Sequence, residues 1–113
     1  MKDNDRLLSF LGLARKAGRL SLGFDGVCES VRKGESRMIL IASDASEGTV
    51  RRLRSRLPED FADVYQMPCD IDRIDAALGK GVRLLSVNDK GFANKVKELL
   101  AAEGAAASGQ GEE

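Results

Sequence analysis

The sequence contains no histidine and no tryptophan, and only one tyrosine and four phenylalanines among 113 residues. The absence of histidine removes the commonest general base and metal ligand. Scarce aromatic side chains disfavour a surface that binds single-stranded nucleic acid by stacking its bases. The two cysteines, Cys28 and Cys69, form no C-x-x-C pattern. We therefore predict reduced thiols in buried, structural positions rather than a disulfide framework or a zinc site.

Long apolar runs and nucleotide-binding fingerprints are also missing. No apolar stretch approaches the ~18 residues that a membrane span needs, and residues 1–6 are too polar for a signal peptide. The glycine patterns of phosphate loops and dinucleotide sites are absent, and Ser43 and Ser46 have no histidine to activate them. We expect a cytoplasmic protein without membrane contact, catalytic residues, metal or cofactor.

Positive and negative charges balance overall but are distributed unevenly. Lysine plus arginine and aspartate plus glutamate each number 18, yet the excess of basic residues lies in the first half, up to Arg56. Such asymmetry permits a basic face that attracts nucleic acid, although scattered surface charge is the alternative. The same two interpretations apply to a group of closely spaced arginines, namely Arg51, Arg52, Arg54 and Arg56.

Hydrophobic periodicity and cap residues predict alternating helices and strands. Helices are predicted at 5–17, for about two turns between Gly23 and Gly34, from Asp44 or Ser46 to Pro58, from Asp70 to Gly79, and from Asn88 or Asp89 onward. Strands are predicted at 19–22, 37–42, 62–67 and 82–87. The alternation indicates an α/β fold, a three-layer α/β/α sandwich around a central mixed sheet of about four strands. We expect one domain over residues 1–102 and a disordered tail over 103–113.

Five local strings resemble a known family. They are Leu11–Gly18, Ile41–Ser46, Met67-Pro68, Leu78–Lys80 and Asn88–Lys95, reading LGLARKAG, IASDAS, MP, LGK and NDKGFANK. Together they are similar to the ribosomal protein L-seven-Ae superfamily, in its bacterial YlxQ-type branch. The resemblance implies an α/β/α sandwich that binds kink-turn RNA, a sharply bent helix–loop–helix element with tandem sheared G·A pairs.

The family's RNA-reading motif runs Gly-x-Asn-Glu-x-x-Lys-x-x-x-Arg-Gly. On this chain its asparagine falls on Asp25, its glutamate on Gly26 and its lysine on Glu29. Asp25 can only accept hydrogen bonds, Gly26 has no side chain, and Glu29 reverses a charge beside RNA. The resemblance also implies contacts from the loop at 79–83. The predicted RNA-binding residues are Gly23, Phe24, Asp25, Gly26, Glu29, Lys33, Lys80, Gly81, Val82 and Arg83.

The sequence thus predicts a non-enzymatic, ribosome-associated protein that binds structured RNA as a monomer. The helix that follows Gly23 would supply backbone N–H groups at its positive end. The alternative is a protein-interaction module that kept the fold and lost kink-turn binding, which the changes at Gly26 and Glu29 favour.

Overall fold

The computed structural model describes residues 3–102, so the tail predicted at 103–113 lies outside the described residues. Five helices and four strands alternate along this part of the chain. The helices are α1 (Asp3–Lys16), α2 (Gly23–Arg32), α3 (Glu47–Ser55), α4 (Ile71–Leu78) and α5 (Lys90–Ala102). The strands are β1 (Leu20–Leu22), β2 (Met38–Ile41), β3 (Val64–Gln66) and β4 (Leu84–Val87). No helix within 3–102 is long and apolar enough to cross a membrane.

The four strands form one mixed sheet in the order β1-β4-β2-β3. Strand β4 runs antiparallel to both neighbours, pairing Leu85 with Leu22 on one side and Leu84 with Ile41 on the other. Strands β2 and β3 are parallel, with Ile41 opposite Gln66. All residues of β2 and β4 are buried, as expected for central strands covered on both faces.

Side chains that alternate along the central strands build a core on each face of the sheet. One core takes Met38 and Leu40 from β2 together with the buried stripes of α1, α4 and α5. The other takes Ile39 and Ile41 together with residues of α2 and α3. Three helices therefore cover one face and two the other, which confirms the three-layer α/β/α sandwich.

Most predicted element boundaries agree with the structure because cap residues mark them. The side chains of Ser46 and Asp70 accept hydrogen bonds from the first turns of α3 and α4, and α4 ends at Gly79 with a φ of 80°. Helix α2 differs: it begins at Gly23 itself and is ten residues long, more than the two turns predicted. The positive φ of Gly23 completes the turn in a single residue, so the helix starts earlier.

Neither cysteine forms a disulfide bond, and only one has the predicted surroundings. Cys69 is fully buried in the core next to α4. Cys28 lies on α2 and is half-buried, so the expectation of full burial was wrong for this residue.

Candidate nucleic-acid interface

The turn that leads into α2 and the loop between α4 and β4 lie side by side at one end of the sheet. The pairing of Leu22 with Leu85 brings the end of β1 next to the start of β4. A Cβ atom placed on Gly23 would lie 3.9 Å from Cγ1 of Val82. We call residues 22–26 and 79–83 together the turn–loop interface. The structure thus brings together two segments that the sequence predicted to share a binding site.

Helix α2 begins without a side-chain cap. Its N-cap residue, Leu22, has no polar side chain to accept from the first N–H groups. Asp25 is exposed in the first turn, and Gly26 faces β1, where an added Cβ would lie 3.7 Å from the Cβ of Ser21. The turn therefore presents backbone donors and one exposed carboxylate to solvent.

The loop half of the interface carries two exposed cations, Lys80 and Arg83. A Cβ added to Gly81 would lie 3.2 Å from Cγ2 of Ile71 and 3.3 Å from the Cβ of Asp75. The loop therefore packs tightly on α4. Val82 is only 6% exposed, so its side chain supports the turn from beneath, and the RNA contact predicted for it stays a prediction.

Glu29 is paired within α2 and does not stand alone as a negative charge. Its carboxylate accepts from Nη2 of Arg32 at 2.6 Å and from Nε at 3.1 Å, and Nζ of Lys33 lies 3.7 Å away. The hydrogen bond from Arg32 is the main reason why the pKa of Glu29 lies below its usual value. Glu29 is therefore ionised at neutral pH, and it offsets the cations that follow it.

The ring of Phe24 lies beneath the guanidinium groups of two arginines from another part of the chain. This ring packs against the core between α2 and α3. The guanidinium carbon of Arg52 lies 4.2 Å from the ring centroid, and that of Arg56 lies 5.8 Å away. Both distances fall within the range of cation–π attraction. Phe24 therefore links the turn–loop interface to two of the arginines of α3.

Comparisons with known proteins identify the family of this chain. A model of the Ribosomal protein L7Ae/L30e/S12e/Gadd45 family matches residues 5–61, half of the chain. The chain belongs to this family. It is similar to an RNA-binding protein YlxQ of Bacillus subtilis (strain 168), with 30% identity over 80% of this chain and 90% of the relative. For an RNA-binding protein YlxQ of Enterococcus faecium the values are 28%, 87% and 94%.

A solved structure of a Bacillus halodurans protein of unknown function has the same family fold. The TM-score is 0.70 at 29% identity, over 84% of this chain and 96% of that one. The family model and the two YlxQ relatives confirm the resemblance to the YlxQ-type branch. Asp25, Gly26 and Glu29, where the sequence departs from the family motif, lie in the first two turns of α2, and their contacts with RNA stay predictions.

Arg52 and Arg56 were missed as neighbours of the family motif because nothing in the sequence places α3 beside Phe24. The ion pairs of Glu29 with Arg32 and Lys33 were not predicted either, although their spacing in the sequence indicates them. Arg32 and Lys33 follow Glu29 by three and four residues, the spacing at which side chains on a helix meet.

A polar network anchors the far half of α2 to the sheet. Asn88 donates through Nδ2 to the hydroxyl oxygens of Ser21 at 2.9 Å and Ser30 at 3.2 Å. Its Oδ1 accepts from the Ser86 hydroxyl at 2.6 Å, and Ser86 Oγ lies 2.7 Å from that of Ser36. Ser30, Ser36 and Ser86 are all buried. The network therefore fixes the orientation of the helix that carries the family motif.

The half-buried Cys28 faces the same groove as Asp25 and Arg56. Burial raises the pKa of its thiol, Arg56 and Arg52 oppose that rise, and Asp25 adds to it. The thiol is therefore protonated at neutral pH and a weak nucleophile. Asp25 and Arg56 line one groove together with this thiol.

Replacing Gly23 with alanine is expected to destabilise the fold by about 1–2 kcal/mol, because an L-residue is strained at a φ of 89°. Gly26→Ala is the matched control, since the residue is helical and its added Cβ meets Ser21 at an ordinary distance. The control should be as stable as wild type or more so. Urea denaturation measures both variants. Equal stability of Gly23→Ala and wild type would contradict the prediction.

Proposed function

We propose that this protein binds structured, kink-turn-like RNA through the turn–loop interface, as a monomeric and non-enzymatic component of the cytoplasmic translation apparatus. The observation that carries the proposal is that Gly23 adjoins Val82, since a Cβ added to Gly23 would lie 3.9 Å from Cγ1 of Val82. It joins the family's RNA-reading motif and the 79–83 loop into one surface. Relatives at 28% and 30% identity that are named RNA-binding proteins support it.

The proposed recognition divides between backbone and side chains. The uncapped N–H groups of α2 donate to a phosphate or a base edge, and Gly23 lets RNA approach the main chain closely. Asp25 accepts a hydrogen bond from a guanine N1–H or amine, since a carboxylate can only accept. Lys80 and Arg83 contact the phosphate backbone and set the orientation. Recognition is therefore of RNA shape, with few base contacts.

A titration with fluorescent RNA tests the proposal. The probe is a kink-turn duplex, and its control is the same duplex with the tandem G·A pairs replaced by Watson–Crick pairs. We expect the kink-turn to bind at least about tenfold more tightly, because each good set of base contacts contributes roughly 1–3 kcal/mol of discrimination. Equal and weak binding of the two RNAs would rule out kink-turn specificity.

The alternative function, a protein-interaction module, rests on a different surface. A groove of about 910 Å³ runs between α1 and α4. Leu13, which lines it, is 58% exposed, a high value for a large apolar side chain. This groove lies on the face of the sheet opposite α2 and α3. If RNA binding fails in the titration above, Leu13→Ser tests this groove: loss of a co-purifying protein in the variant would support the alternative.

A further inference from the structure

The charges along α2 do not supply the cation that the family motif places on this helix. Asp25 and Glu29 are negative, Arg32 and Lys33 are positive, and Glu29 holds both cations in ion pairs. The exposed surface of α2 is therefore close to neutral. A phosphate next to the turn needs a positive charge from another element.

Helix α3 provides such charge at the right place. Arg52 lies in the last turn of α3 and Arg56 is its C-cap residue, four positions later, so they project from the same side, and both lie over Phe24. Neither forms an ion pair with a carboxylate anywhere in residues 3–102. Both are exposed, so their charges are available to an RNA that sits on the adjoining turn.

The contact with Phe24 also suits arginine better than lysine. A guanidinium is planar and weakly hydrated, so it can rest on a ring and still offer the N–H groups at its edge. Those donors match the two oxygens of a phosphate. Holding Arg52 on the ring reduces the freedom that it would lose on binding.

We infer that Arg52 and Arg56 hold the RNA backbone beside Asp25, in place of the cation that Glu29 has removed from α2. The inference rests on the proposed function and adds to it two phosphate contacts that do not depend on the RNA sequence. Arg56 lines the α3 side of the groove between α2 and the end of α3, opposite Asp25 on the α2 side, and Arg52 adjoins that groove over the ring of Phe24. The backbone of the RNA therefore crosses from the turn onto α3.

Arg51 provides a matched control on the same helix. It is exposed, like Arg52 and Arg56, but lines a different groove, near Gln66 at the edge strand β3. The inference assigns it no RNA contact. Arg51→Gln therefore removes one positive charge from α3 without touching the surface next to Phe24.

The experiment measures the Kd of the kink-turn duplex between 50 and 200 mM salt for wild type, Arg52→Gln, Arg56→Gln and Arg51→Gln. Each lost phosphate contact lowers the magnitude of the slope of log K against log salt by about one. This corresponds to roughly a threefold smaller loss of affinity over that range. We expect this change for the variants at 52 and 56, and a slope close to wild type for the variant at 51.

The possible outcomes separate the inference from the function on which it rests. If wild type binds and all three variants share one slope, or if Arg51→Gln has the largest effect, the inference is wrong and the proposed function stands. If wild type binds neither RNA, both are wrong. Arg52→Lys tests whether the planar guanidinium on Phe24 matters in addition to its charge. Lysine retains the charge, so the slope should stay near that of wild type, while the affinity at each salt concentration should be weaker. Thermal unfolding checks that each variant is folded.

Discussion

Replacing Asn88 with alanine is expected to lower the free energy of unfolding by about 2–3 kcal/mol. The change removes three hydrogen bonds at once, from Ser86 and to Ser21 and Ser30. The hydroxyls of Ser30 and Ser86 are buried and each keeps one other hydroxyl partner, Ser21 and Ser36 respectively. The expected loss therefore comes from the three hydrogen bonds themselves, at about 0.5–1.5 kcal/mol each. For a domain of this size, Tm should fall by about 10–20 °C. Differential scanning calorimetry measures the change directly.

Asn94 offers the control for this prediction. It is the same residue type, it lies on α5 close to Asn88 in the chain, and it is exposed. Asn94→Ala should change stability by less than about 0.5 kcal/mol, as surface substitutions usually do. If Asn88→Ala proves no more harmful than Asn94→Ala, the network does not contribute to stability as its geometry indicates.

Replacing Glu29 with lysine is expected to produce the largest gain in RNA affinity. The change restores the cation of the family motif, and it also frees Arg32 and Lys33 from the carboxylate that binds them. The salt dependence should become steeper by about one to two, with affinity at low salt about tenfold higher or more. Titration of the kink-turn duplex at several salt concentrations measures both quantities.

Glu29→Gln separates the two contributions. Glutamine removes the negative charge and releases Arg32 and Lys33, but adds no cation of its own. If both variants tighten binding equally, the released side chains account for the effect; if only lysine does, position 29 contacts RNA itself. No gain with either variant would mean that the second turn of α2 does not face the RNA.

The fold was largely predictable because local chemistry marks its elements. Ser46 and Asp70 begin helices, Gly79 ends one, and the apolar run over residues 37–42 is the central strand β2. The order of strands in the sheet was not predictable. Pairing between distant segments depends on how whole elements pack, and no residue pattern in β1 or β4 indicates that they are neighbours.

The candidate site was predictable in part. The family motif placed Gly23 and the 79–83 loop together, and the structure confirms that they adjoin. The polar network escaped notice because serines in short strands are typical of exposed positions, whereas Ser86 is completely buried. The contact between Arg52 and Phe24 joins different helices, and only the packing of α2 and α3 creates it.

The position of β4 has a consequence for the order of synthesis. This strand lies between β1 and β2 but is made after both, so a growing chain that ends before residue 84 has no strand to join the two. Closing the sheet brings together segments far apart in the chain, which is the slow part of folding. The turn before α2 and the loop before β4 meet only at that point. A nascent chain that ends before β4 therefore lacks a complete turn–loop interface, and the proposed binding through that surface requires β4 to have been made.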